Sequence, residues 1–85
     1  MTSDDLQMKQ ERCRPIIDIA ATGERIHALR CERGITVLEM QRYLNLVSDQ
    51  AIYQWQRGDN FPCVDNLFAI AALLEVTVDD LVVYE

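Results

Sequence analysis

Basic residues, cysteine and histidine are scarce in this sequence, and each scarcity excludes something. Lys and Arg number 8 against 14 Asp and Glu, giving a formal charge of −6 and a sequence pI near 4.6. On charge alone the chain does not read as a nucleic-acid binder, because such domains usually carry a basic surface. One histidine and three cysteines, with no CxxC pair, are too few soft ligands for an expected zinc site. His27 in particular is read as having no His or Cys at metal-ligand spacing. Cys13, Cys31 and Cys63 are an odd set, which points to a reducing cytoplasm rather than a disulfide framework. No apolar run approaches the ~20 residues that span a bilayer, and the polar start MTSDDLQMKQE is no signal peptide. Paired carboxylates, a nucleophile with a base and a phosphate-binding loop are all missing from the pattern, so no enzyme and no cofactor is expected.

What is present is a well-patterned small domain. The chain has 85 residues, 49% of them hydrophobic and 26% charged, enough for one core and no second domain. Residues 1–21 read as a flexible arm followed by a short extended tether, in which Pro15 opens the β-branched run Ile16, Ile17, Ile19. Residues 22–85 read as five short helices. The first is expected over Thr22–Arg33, with Ile26 and Leu29 inward and Gly34 as its left-handed terminus. Thr36 and Glu39 form a capping box that starts the second, whose apolar stripe is Val37, Met40 and Leu44. The third is expected over Asp49–Arg57, capped by Ser48, with Ile52 and Trp55 or Gln56 inward, stopping at Gly58. The fourth shows Val64, Leu67, Phe68, Ala71 and Leu74 at i, i+3, i+4, i+7 spacing. A second capping box, Thr77 with Asp80, announces the fifth. With no repeat and no strand-pairing signal, the fold class is all-α.

Two helices joined by a short turn and held by three others describe a helix-turn-helix. The residues narrow this further. Arg25-Ile26 with Leu29-Arg30 is followed by Gly34-Ile35-Thr36, then by Val47-Ser48 with Ile52, Trp55 and Gly58. Pro62, Leu67, Ile70-Ala71 and Val78-Asp79-Asp80-Leu81 complete the series. In that order, from Thr22 to Val83, the chain resembles the phage Cro and repressor-type (xenobiotic-response-element) helix-turn-helix family. The resemblance implies a five-helix, phage-repressor-like fold with an N-terminal arm, and a DNA-binding transcription regulator with its third helix in the major groove. Three departures stand out. The turn Leu44-Asn45-Leu46-Val47-Ser48 is one residue longer than usual and lacks glycine, so Asn45 is expected in the left-handed position. Val37 stands where the family often has a glutamine that reaches the DNA backbone. Gln56 replaces the glutamate that commonly pairs with the first-helix arginine, leaving Arg30 a neutral hydrogen bond and a need for another carboxylate.

The outward positions of the third helix are Asp49, Gln50, Tyr53, Gln54 and Arg57. Gln50 and Gln54 are candidate base readers, since glutamine bonds the N6 and N7 edge of adenine bidentately. Tyr53 is either a sugar or thymine-methyl contact or a cap on the core. Asp49 would repel phosphates unless it accepts from cytosine, and capping its own helix is the preferred role. Arg57 is the best phosphate partner in the segment. Thr36 and Ser48 stand at helix N-termini that favour phosphate but would serve equally as caps. Asn60 and Arg42 are further candidate backbone contacts. Cys63 occupies the cap position before the fourth helix, where a thiol can be reactive.

The charge is unevenly placed. Residues 61–85 hold the acids Asp65, Glu75, Asp79, Asp80 and Glu85 and no basic residue, whereas residues 35–60 hold Arg42 and Arg57 against Glu39, Asp49 and Asp59. The acidity therefore belongs to the last two helices, away from the expected reading face. One copy with so few phosphate contacts would bind weakly, so a homodimer is expected, with Leu81, Val82, Val83 and Tyr84 as its seam. Lys9, Arg12 and Arg14 of the arm would add basic contacts. The expected partner is double-stranded DNA, with no membrane and no small-molecule site. The rival reading is an acidic protein-interaction module on the same fold (antirepressor, adaptor or antitoxin-like) with weak or no DNA binding.

Overall fold

The computed structural model describes residues 14–85, so Cys13 and the basic residues Lys9 and Arg12 of the expected arm lie outside the described residues. Five helices follow one another: α1 (Ile19–Glu32), α2 (Val37–Tyr43), α3 (Gln50–Arg57), α4 (Val64–Leu74) and α5 (Val78–Leu81). None is long and apolar enough to cross a membrane.

The first helix begins earlier than the expected Thr22. Asp18 explains this: its carboxylate accepts the Ala21 N–H at 3.0 Å, so the β-branched run is cut after Ile17 by a helix cap. Only the residues before the cap remain extended. Ile17 forms an isolated antiparallel bridge with Tyr84, flanked by Asp18 N–H to Val83 O at 2.8 Å and Glu85 N–H to Ile16 O at 3.0 Å. The tether thus pairs with the C-terminal segment, a pairing that the sequence did not signal. Thr22, fully buried, holds the same segment, accepting the Val83 N–H at 2.9 Å through its hydroxyl.

The core joins all five helices. It comprises Ile26 of α1, Met40 of α2, Ile52 and Trp55 of α3, Leu67, Ile70, Ala71 and Leu74 of α4, and Leu81 of α5. Removing each large aliphatic side chain from water contributes roughly 1.5–3 kcal/mol. On α4 the buried stripe is rotated from the expected one: Ile70 is fully buried, while Val64 and Phe68 are 67% and 61% exposed. Two stripes overlapped in that apolar helix, and packing against α5 and α2 selects the one through Ile70. Leu81 is also fully buried, which removes it from the expected dimer seam; it is the anchor of α5 in its own chain.

Several local expectations hold. Gly34 and Gly58 are left-handed at φ 68° and 78°, and Asn45 takes the left-handed position in the long turn at φ 56°. The Thr36–Glu39 capping box is complete. At α5 only half of the expected box forms, with Thr77 Oγ1 accepting the Asp80 N–H at 3.0 Å.

Candidate nucleic-acid interface

The placement of α3 starts with a glycine. Gly23 of α1 lies so close to α3 that a Cβ on it would stand 2.0 Å from the Trp55 carbonyl oxygen. At the far end of α3, a Cβ on Gly58 would meet the Ala20 Cα at 2.8 Å. α1 therefore grips the last turn of α3 backbone to backbone, with Ile52 and Trp55 of α3 turned into the core.

Arg30 completes this attachment. The side chain is buried (9% exposed) and its guanidinium donates to Gln56 Oε1 at 3.0 Å, Ile35 O at 2.9 Å and His27 Nδ1 at 3.1 Å. One cation thus ties α1, the α1–α2 turn and α3 together. The neutral bond to Gln56 is as expected, but the further carboxylate is not there; a carbonyl and an imidazole nitrogen take its place. Every buried side-chain polar atom among the described residues has a partner.

With its inner side so fixed, α3 presents Gln50, Tyr53 and Arg57 as an exposed stripe, with Gln54 half-buried beside them. Gln56 faces Arg30 and is not available. Tyr53 is 42% exposed and is not one of the core residues. Arg57 donates from Nε to Asp59 Oδ2 at 2.8 Å across the left-handed Gly58, so its charge is shared with a neighbour. Both groups are well exposed, and such a pair contributes only ~0.2–1 kcal/mol, little enough for a phosphate to displace it. Asn60 Oδ1 accepts the Phe61 N–H at 3.0 Å, which leaves its amide N–H groups as donors.

The two helix N-termini differ. At α2 the Glu39 carboxylate accepts from both the Thr36 N–H and hydroxyl at 3.3 and 3.2 Å. An anion from the chain itself already occupies that end. At α3, Asp49 occupies the cap position without a side-chain cap bond, contrary to the role preferred for it. Ser48 Oγ accepts the Gln50 N–H at a long 3.4 Å, so this N-terminus remains the more open of the two. Val37 is partly buried against the core, while Arg42 is exposed on α2. Sequence reasoning missed Val47, which is 103% exposed in the turn before α3. It also missed Asp59, whose i+2 spacing from Arg57 around a glycine was the available signal.

One further correction concerns α1. His27 does have a cysteine at ligand spacing: Cys31, one turn on, places Sγ 3.8 Å from His27 Nε2. Cys31 and Cys63 are both free and exposed, and Cys63 makes no side-chain cap bond to α4.

Comparison with known proteins agrees with this geometry. The family described as helix-turn-helix matches over residues 26–81. The P22 c2 repressor protein, solved with synthetic operator 9T in the presence of Tl+, is 33% identical over 71% of this chain and 89% of its own, with a TM-score of 0.65. The clp gene regulator ClgR from Corynebacterium glutamicum is 21% identical over 73% of this chain and 65% of its own, TM-score 0.68. The biofilm master regulator SinR, solved with DNA, is 24% identical over 71% of this chain and 95% of its own, TM-score 0.63. These last two likenesses show the fold. No curated protein matches by sequence. The chain belongs to the repressor-type (XRE) helix-turn-helix family of DNA-binding transcription regulators.

Proposed function

We propose that this protein is a sequence-specific regulator, acting as a repressor in the cytoplasm, that lays α3 in the major groove. Gln50 and Gln54 read base edges, Tyr53 and Val47 supply apolar contact to thymine methyls, and Asp49 accepts from cytosine N4. Arg57, Asn60, and the α3 N-terminus with Ser48, hold phosphates. Thr36 serves chiefly as the cap of α2. The observation that carries the reading is the two-sided character of α3. Its inner face is fixed by the core and Arg30, while its outer face is polar, exposed and free apart from the Arg57–Asp59 pair.

Because that face holds one basic side chain, a single copy gains little from counterion release, and two copies on a two-fold site are part of the proposal. The second reading, an acidic protein-interaction module, draws on the same charge pattern: Asp59 engages Arg57 and Glu39 fills the α2 N-terminus.

Fluorescence anisotropy on a selected duplex separates the two. Gln50→Ala should lower discrimination among sites, by about 1–3 kcal/mol at one base pair. Arg57→Ala should weaken all sequences alike and flatten the salt dependence. Two variants that bind as the parent does would remove α3 from the interface.

A further inference from the structure

His27 and Cys31 are exposed on α1, and the DNA reading uses neither. Their donor atoms, Nε2 and Sγ, lie 3.8 Å apart. Zinc-type ions bond thiolate sulfur at about 2.3 Å and imidazole nitrogen at about 2.0–2.1 Å, which at a tetrahedral angle sets the two donors about 3.6 Å apart. The pair already has the bite of one tetrahedral ion. Two ligands do not complete such a site, and no group of three or more His, Cys, Asp and Glu suited to a metal occurs among the described residues. A second copy of the same pair would complete it.

We infer that His27 and Cys31 from two copies of this chain form one Cys2His2 site for a tetrahedral, zinc-type divalent cation, joining the chains across α1. Ala28, exposed between the two ligands, has no side chain beyond Cβ to hold a facing helix away. The charges close: a divalent ion with two thiolates and two neutral imidazoles has no net charge, so the neighbouring Arg30 guanidinium faces little repulsion. The protons close as well. Each Cys31 thiol releases its proton to solvent as the metal–sulfur bond forms. Each imidazole gives up its Nε2 position to the metal and carries its proton on Nδ1. The Arg30 bond to Nδ1 then ends, while those to Gln56 and Ile35 remain. The inference does not depend on DNA binding, and its test contains no DNA.

Cobalt(II) chloride is titrated into the full chain kept reduced with a phosphine. The expected result is a thiolate-to-cobalt charge-transfer band with the intense visible bands of tetrahedral cobalt. Saturation should come at about 0.5 ion per chain, with a doubling of mass by light scattering. Cys31→Ser should abolish both signals with its far-ultraviolet circular dichroism unchanged, and Cys63→Ser should keep both. The inference is overturned by the absence of a tetrahedral spectrum, by saturation at one ion per chain with no change of mass, or by bands that persist in Cys31→Ser. A mass that doubles only without reductant marks a Cys31 disulfide and overturns it as well.

Discussion

Gly23 of α1 sits against the Trp55 carbonyl of α3, with 2.0 Å between that oxygen and the place where any other residue would carry its Cβ. The contact is between backbones, so no side chain can move aside to relieve it. Gly23→Ala must therefore push α1 and α3 apart, at about 1–3 kcal/mol for overpacking. Urea unfolding should show a lower midpoint with an unchanged slope. A midpoint equal to that of the parent would mean that α1 does not fix α3.

The Arg30 cation donates to a neutral acceptor, Gln56 Oε1, where a carboxylate would fit. Gln56→Glu should strengthen the bond, because the acceptor of the Arg30 cation then carries a charge of its own and the part-buried bond becomes an ion pair, for a gain of about 1 kcal/mol at neutral pH. The sign with pH follows. The folded carboxylate beside a guanidinium would titrate below its ordinary value of about 4.3, so the gain is present above that value and lost as pH falls through the folded one. Thermal melts of the variant at pH 7 and pH 3 test this; an equal gain at both would refute the ion pair.

Leu81 and Phe68 separate core from surface on neighbouring helices. Leu81→Ala should cost about 2–5 kcal/mol, because it empties a fully buried site. Phe68→Ser, at a position 61% exposed, should stay within about 0.5 kcal/mol. Denaturation of the two variants side by side would expose an error in the α4 and α5 packing if their order were reversed.

The Tyr84 hydroxyl donates to Asp79 Oδ1 at 3.1 Å, and this bond, the Asp79 charge and slight desolvation all raise its pKa above the ordinary 10.0. The stabilising contribution is complete below that value, where the phenol is protonated folded and unfolded, and is lost as pH rises through the folded value. The Tyr84 ring signals, followed by nuclear magnetic resonance in alkali, should titrate lower in Asp79→Asn than in the parent. An unchanged titration would show that the bond does not form in solution.

Much of this was readable from residue types. Capping chemistry at Thr36, left-handed turns at Gly34, Asn45 and Gly58, and helical spacing of Ile26, Met40 and Ile52 are local, and they placed the helices and the outward face of α3. What was not readable depended on distant partners. Nothing near Ile17 in sequence announces Tyr84, its bridge partner. The choice between Phe68 and Ile70 as the buried residue of α4 is made by α2 and α5. Leu81 was expected in a dimer seam, and only the packing of α5 shows that its own core claims it. The His27–Cys31 pair is a different case, since its i, i+4 spacing was present in the sequence and went unused.

Selection from a random duplex pool at low salt asks whether α3 reads a specific sequence. One two-fold symmetric site should be enriched, with half-sites about 34 Å apart or a multiple of that, and the enrichment should be lost in Gln50→Ala with Gln54→Ala. No enrichment, with binding no tighter than ~10⁻⁵ M, would contradict that reading and leave the acidic interaction module as the better description.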